Sequence, residues 1–220
     1  MADISAINAC KNSQSRQQEL NIIFYQYFFF NRLVNSLPEK KSLTIAISGK
    51  AGAGKSTFAK HIAEIFKLEH ISAGKIFRQM AQQRNMDLST FSRFAENNID
   101  IDKEIDERSI KEAKKGNVVL DGHLTAWICK DLANIKIFVT APLDVRAKRI
   151  AQRDENSYED ALSETTRREN SERMRYKKIY NIDITELSIF DIILNTDNWS
   201  IDSITNILIT AIREFKGGDK

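Results

Sequence analysis

The chain has 220 residues, enough for one α/β domain with a self-sufficient core. Its 33 basic and 30 acidic residues leave a formal charge of +3, which argues against the lopsided basic face of a dedicated nucleic-acid binder. The two cysteines, Cys10 and Cys129, and the three histidines, His61, His70 and His123, show neither a disulfide framework nor zinc-ligand spacing, which fits a reducing cytoplasm.

Residues 1–19 are polar and lack a periodic apolar face. An aromatic run follows, Phe24-Tyr25-Gln26-Tyr27-Phe28-Phe29-Phe30, too short to span a bilayer. No basic start or small-residue cleavage site marks a signal peptide, and Asp3 and Glu19 count against a transit peptide. Residues 1–41 read as an extra helix, a partner or membrane-surface contact, or a flexible tail. A loosely packed extension with no part in chemistry is the expectation, with the functional domain over residues 42–216.

Residues 43–48 (LTIAIS) have the length and apolarity of a buried strand. Gly49, Lys50, Ala51, Gly52, Ala53, Gly54, Lys55, Ser56 and Thr57 follow, and the first eight fit the phosphate-loop pattern. Phe58, Ile62, Ile65 and Phe66 then recur at helical spacing. Glycines in such a loop let backbone N–H groups turn inward around phosphate oxygens, and the following helix adds the positive end of its dipole. Lys55 would reach the β- and γ-phosphates of ATP, and the Ser56 hydroxyl would ligate Mg²⁺.

Residues 69–72 predict a short second strand, and residues 72–78 turn into a helix carrying Arg78. Between residues 87 and 115, Leu88, Phe91, Phe94 and Ala95 form one apolar face and Ile101, Ile105 and Ile110 another. This stretch reads either as a flap over a substrate or as an ordinary solvated helical hairpin. Residues 117–122 form the next strand, with Asp121 at its carboxyl end. There a carboxylate can hold Mg²⁺ or its water; a turn-capping Asp is the other reading. Residues 135–139 are a fourth strand, and Pro142 opens a helix bearing Arg146, Lys148, Arg149 and Arg153. A polar break at residues 154–157 precedes a capping box, Ser157 with Asp160, and a helix to Tyr180. Residues 189–195 predict the fifth strand. Ile204, Ile207, Leu208, Ala211, Ile212 and Phe215 mark a last helix, after which residues 217–220 are expected to fray. The order predicts an open, five-stranded, mainly parallel sheet with helices on both faces.

On the long helix, Arg168, Glu172 and Arg175 share one face. The two arginines stand roughly 10 Å apart along the axis, a spacing suited to phosphates of two nucleotides placed end to end. A solvent-facing helix laced with ion pairs gives the same spacing. The break before this helix would be a short lid, residues 153–158.

These segments resemble the nucleoside monophosphate kinases, and most closely the archaeal-type cytidylate kinases, over about residues 43–215. The likeness rests on GKAGAGKST, residues 72–78 (SAGKIFR), residues 101–106 (IDKEID), residues 117–122 (NVVLDG) and residues 187–191 (LSIFD). It implies a P-loop NTPase fold and transfer of the γ-phosphate of ATP to CMP or dCMP, with Mg²⁺ required at Ser56 and Asp121. It maps Arg78 onto the acceptor phosphate, residues 74–115 onto the acceptor-binding flap, and Arg146, Arg149 and Arg153 onto the lid flanks. Lys55, Arg168 and Arg175 become the catalytic cations, with Asp121, His123 and Glu172 also at the substrate. Lys50-Ala51 stand where the family usually has Pro-Pro, Lys75 where Asp is common, and His123 where Arg is common. The last two differences bear on the acceptor side. Trp127 reads as a base-stacking ring or as core. Small nucleotides, not nucleic acid or membrane, are the expected partners of a cytoplasmic monomer. AMP or UMP as acceptor, or an ATP-driven switch, are the rival readings.

Overall fold

The computed structural model describes residues 42–215. Residues 1–41, with Cys10 and the aromatic run, and residues 216–220 lie outside the described residues, and so do the expectations that fall on them.

In chain order the elements are β1 (Thr44–Gly49), α1 (Lys55–Phe66), β2 (Glu69–Ser72), α2 (Ala73–Gln83), α3 (Leu88–Glu96) and α4 (Ile99–Lys115). They continue with β3 (Val118–Asp121), α5 (Thr125–Ile128), β4 (Ile135–Thr140), α6 (Leu143–Asp154), α7 (Tyr158–Tyr180), β5 (Ile192–Asn195) and α8 (Ile201–Glu214). The strands lie in the order β2-β3-β1-β4-β5, and every ladder among the described residues is parallel. Register sets the carboxyl ends level: Ile47 and Ser72 both lie opposite Asp121, and Gly49 lies opposite Val139. Whatever follows β1, β2 and β3 therefore meets at one edge, where open parallel sheets hold ligands.

Alternation along the strands explains the two layers. Ile45 and Ile47 of β1 join Val119, Ile135, Ile137 and Val139 against Phe58, Ala59 and Ile62 of α1 and Ile204, Leu208 and Ile212 of α8. Ala46 faces the other way, onto Ala126 and Ala133, while Val118 and Leu120 pack on Ala113 of α4. Strands covered on both faces read as largely apolar runs, as β1, β3 and β4 do apart from the charged Lys136 within β4 and Asp121 at the end of β3.

Four of the eight described helices are capped by their own sequence. Ser72 Oγ, Asp87 Oδ1, Ser157 Oγ and Ser200 Oγ accept from the backbone N–H three residues on, at 3.3, 2.9, 3.1 and 3.0 Å. The expected cap at Ser157 is present. Helix α1 differs: Gly54 precedes it and no side chain caps it.

Three boundaries depart from the sequence reading. Strand β5 starts at Ile192 rather than residue 189, because Leu187, Ile189 and Phe190 sit in a turn packed on Trp127 and Phe138. Pro142 is the residue before α6, not within its first turn. The break before α7 is shorter than the expected 153–158 lid, since α6 runs to Asp154. In the insertion, Phe91 and Ala95 are buried with Met80, Ala81, Ile101 and Ile105 in a core of their own. Leu88 and Phe94, expected on the same apolar face, are 41% and 39% exposed. The insertion is thus a packed subdomain of α2, α3 and α4 rather than a bare solvated hairpin.

Candidate active site

The loop between β1 and α1 folds as its glycines require. A Cβ at Gly49 would lie 2.0 Å from the Val139 carbonyl, and Gly52, at φ +77°, would place one 2.6 Å from the Arg146 carbonyl. The loop can therefore lie flat against β4 and α6 only without side chains there. Ala53 N–H closes on the Lys50 carbonyl at 3.3 Å and Thr57 N–H on that of Gly54 at 3.1 Å. With no side-chain cap on α1, the first-turn amides and the helix dipole together suit an anion.

Lys55 is buried, and its ammonium donates to the Lys50 carbonyl across the loop at 2.8 Å. Burial lowers its pKa to about 8, against the pull of Asp121 and Glu172. Ser56 Oγ donates to Asp121 Oδ1 at 2.8 Å. A hydroxyl has one proton and two lone pairs, so this bond leaves both lone pairs available to a cation. Asp121, 2% exposed, also accepts from Ser72 Oγ at 3.2 Å and from His70 Nε2 at 2.6 Å. A hydroxyl beside a fixed carboxylate is an oxygen donor set that fits Mg²⁺ held jointly with phosphates and water. Among the described residues no group of three or more His, Cys, Asp or Glu side chains offers a metal site of another kind.

Cations gather above the loop. Burial and the neighbouring Arg153 push Arg78 below its usual pKa, with Arg168 adding and Asp121 and Asp154 opposing. Arg168 Nε donates to Glu172 Oε1 at 2.8 Å, and its guanidinium lies 5.7 Å from the Phe77 ring centroid. Burial alone would raise the Glu172 carboxyl, but His123 and Arg168 outweigh it and hold Glu172 well below the usual carboxylate range. His123 Nδ1 donates to the same carboxylate. Arg153 is exposed and forked onto Asp154 at 2.7 and 2.6 Å.

The other predicted arginines are each paired within the protein. Arg146, 2% exposed, donates to the carbonyls of Ala141 (2.9 Å) and Ala51 (3.1 Å) and pairs with Glu169 of α7. Arg149 reaches Thr196 Oγ1 at 3.0 Å and the Thr196 carbonyl at 2.9 Å, with the Gly52 carbonyl at 3.4 Å. Both arginines thus brace the loop from beneath instead of flanking a lid. Arg175 pairs with Asp102 of α4 at 3.2 Å, two turns from Arg168. Trp127 is a core residue, edge-on to Phe138 and Phe190 with ring centroids at 6.4 and 4.8 Å.

A glycine loop whose first helical turn bonds a buried carboxylate, with Arg153 and Arg168 in electrostatic range of Arg78, has counterparts in sequence. The cytidylate kinase-like family matches residues 44–198. The chain belongs to that family. Cytidylate kinases of Staphylothermus marinus, Pyrococcus horikoshii and Methanocaldococcus jannaschii are 49%, 46% and 45% identical to it. Each alignment covers 79% of this chain and 98%, 90% and 99% of the respective relative. Shikimate kinase of Bacteroides thetaiotaomicron superposes with a TM-score of 0.52 at 14% identity, over 77% of this chain and 98% of that one. That likeness shows the shared P-loop kinase fold alone.

Within this cytidylate kinase-like chain several contacts escape a reading of the sequence. His70, Ser72, Glu169 and Thr196 are single residues whose partners lie 23 or more positions away. Asp102 and Asp106 do carry a signal, since they repeat at i, i+4 in the IDKEID stretch and so share a face of α4. That face meets α7, where Arg175 pairs with Asp102 and the Tyr180 hydroxyl donates to Asp106. Arg167 adds a bond to Glu96 of α3 at 2.9 Å. No described helix is long and apolar enough to cross a membrane.

Two expectations follow. Arg146→Met should cost about 3 kcal/mol in urea unfolding, because Glu169 and two loop carbonyls lose their shared donor. An unchanged midpoint would mean that Arg146 is not a brace. Burial lifts the Asp106 carboxyl to about 6, Tyr180 opposing and Asp102 adding. Folding therefore favours its protonated form, a contribution present in full below the ordinary value of 3.8 and lost as pH rises through about 6. Relative to Asp106→Asn, the native protein should lose stability across that window and change little above it, as thermal melts at stepped pH would record.

Proposed function

We propose that the protein is an ATP-dependent cytidylate kinase, moving the γ-phosphate of ATP onto CMP or dCMP to give CDP or dCDP and ADP. The observation that carries this reading is the set of cytidylate kinases 45–49% identical to the chain, each matched over at least 90% of its own length. The cluster of Lys55, Arg78, Arg153 and Arg168 around a phosphate loop supports it, because two facing polyphosphates require such neutralisation.

On this reading the amides of residues 49–57 and the Lys55 ammonium hold the β- and γ-phosphates of ATP. Ser56 and Asp121 would hold Mg²⁺ with the nucleotide, and the ion would supply positive charge to the phosphates. Arg78 grips the acceptor phosphate, and His123, fixed by Glu172, stands beside it. Arg153, Arg168 and Arg175 close over the transferred group. An acceptor phosphate oxygen attacks the γ-phosphorus in line, and the bond to the β–γ bridging oxygen breaks. No side chain forms a covalent intermediate; the chain supplies position and charge. Arg146 and Arg149 serve by keeping the loop rigid. The catalytic unit begins near Lys41, and the enzyme acts as a cytoplasmic monomer on small nucleotides, a reading its balanced charge supports.

Coupled ADP release with CMP, dCMP, UMP and AMP run side by side tests the assignment. CMP and dCMP should lead the ranking, and a chain lacking residues 1–39 should give the same order. A ranking led by AMP or UMP overturns the acceptor. Lys55→Ala should lower kcat/KM by about 10³-fold. Arg78→Ala should raise the acceptor KM about tenfold or more while leaving the ATP KM within about twofold; an unchanged acceptor KM removes Arg78 from the pocket.

A further inference from the structure

Asp121 is held more firmly than a carboxylate at a strand end needs to be. Ser56 and Ser72 both donate to its Oδ1, at 2.8 and 3.2 Å. Two donors on one oxygen do not fix the plane of a carboxylate, because rotation about its last bond is soft. A partner on the second oxygen does. His70 Nε2 supplies it, 2.6 Å from Oδ2.

The sheet explains how a histidine comes to be there. β2 pairs with β3 so that Ser72 lies opposite Asp121 and His70 opposite Val119. Residues two apart on a strand share a face, so Ser72 and His70 both project on the side where Asp121 meets Ser56. The ring is part-buried, its side chain 19% exposed. Three donors from two elements, β2 and α1, thus converge on a single carboxylate.

We propose that His70 is a positioning residue for the metal–nucleotide site: its ring N–H locks the Asp121 carboxylate so that Oδ1 stays turned toward the Ser56 hydroxyl. This rests on the reading above that Ser56 and Asp121 hold Mg²⁺ with ATP. The role is distinct from contact with either substrate. It predicts a defect confined to metal-dependent binding, because outer partners that orient a ligating carboxylate are worth about 10- to 100-fold in metal affinity.

The test is calorimetric binding of ATP to the full chain, with and without Mg²⁺. The variants are His70→Ala, His70→Leu, which keeps bulk without a donor, and His70→Gln, whose amide reaches about as far as Nε2. In the native protein Mg²⁺ should tighten ATP binding. In His70→Leu, or His70→Ala, the Mg²⁺ concentration giving half of that effect should rise about tenfold or more, with metal-free ATP affinity held within about twofold. His70→Gln should recover most of the loss. In an Asp121→Asn background, His70→Leu should add little, since both act on one contact. Equal Mg²⁺ dependence in native and His70→Leu proteins overturns the proposal, as does a loss in His70→Leu that Gln does not recover, or one additive with Asp121→Asn. Absence of any Mg²⁺ effect in the native protein sinks the metal reading itself, a result separate from failure of His70 alone.

Discussion

Helix α1 begins without a side-chain cap, and the rest of the site is arranged around that exposed end. While α4, α5 and α6 also start without a side-chain cap, Ser72, Asp87, Ser157 and Ser200 close the helices they precede. Gly54 cannot, and no other side chain does so for α1. An uncapped N-terminus is tolerable at the protein surface, where water serves its amides, but here it points into a cleft beside a buried carboxylate. Anionic oxygens would satisfy those amides and the dipole together, so a polyphosphate suits that end on the proposed reading.

Rigidity at that end comes from below. Gly49 and Gly52 allow the loop to touch Val139 and Arg146, and Arg146 and Arg149 return bonds to the carbonyls of Ala51 and Gly52. Carbonyls thus turned down onto guanidinium groups leave the loop's amides to face the other way. Two arginines spent on backbone are a sizeable investment, and they have a physical reason. A glycine-rich loop loses more conformational entropy than other sequences when it becomes ordered, and a phosphate cradle works only if it is ordered before the phosphate arrives.

Features that are contiguous in the chain are legible in its sequence, and those assembled across the fold are not. The phosphate loop is nine consecutive residues between an apolar run and a helical period, and no long-range knowledge is needed to place it. β1, β3 and β4 show because burial on both faces makes them mostly apolar. β5 is legible only in part: Leu187, Ile189 and Phe190 are apolar for the sake of the Trp127 cluster, in a turn, so apolarity there reports burial without extension. Helix α5, with four residues, is barely one turn and so repeats no pattern. Arg146 shows the same limit in the site. Spacing places it on an arginine-bearing helix, but its partners Ala51, Ala141 and Glu169 come from three segments, and only the fold reveals that it braces the loop.

The near-neutral composition, which argues against nucleic-acid binding, is also what this kind of site demands. Cations drawn together for a polyanion repel one another and are costly to bury unless carboxylates accompany them. Lys50 pairs with Glu169 at 3.1 Å, Arg168 with Glu172, Arg175 with Asp102, and Arg153 with Asp154. These carboxylates come from α7 (Glu169 and Glu172), from α4 (Asp102) and from the end of α6 (Asp154). Removing Glu172 or Asp102 would strand a positive charge in a part-buried setting, whereas an arriving phosphate adds a second anion to a guanidinium with donors to spare. Nearly balanced acids and bases, 30 against 33, are therefore compatible with a cationic site, because the acids hold the bases in place.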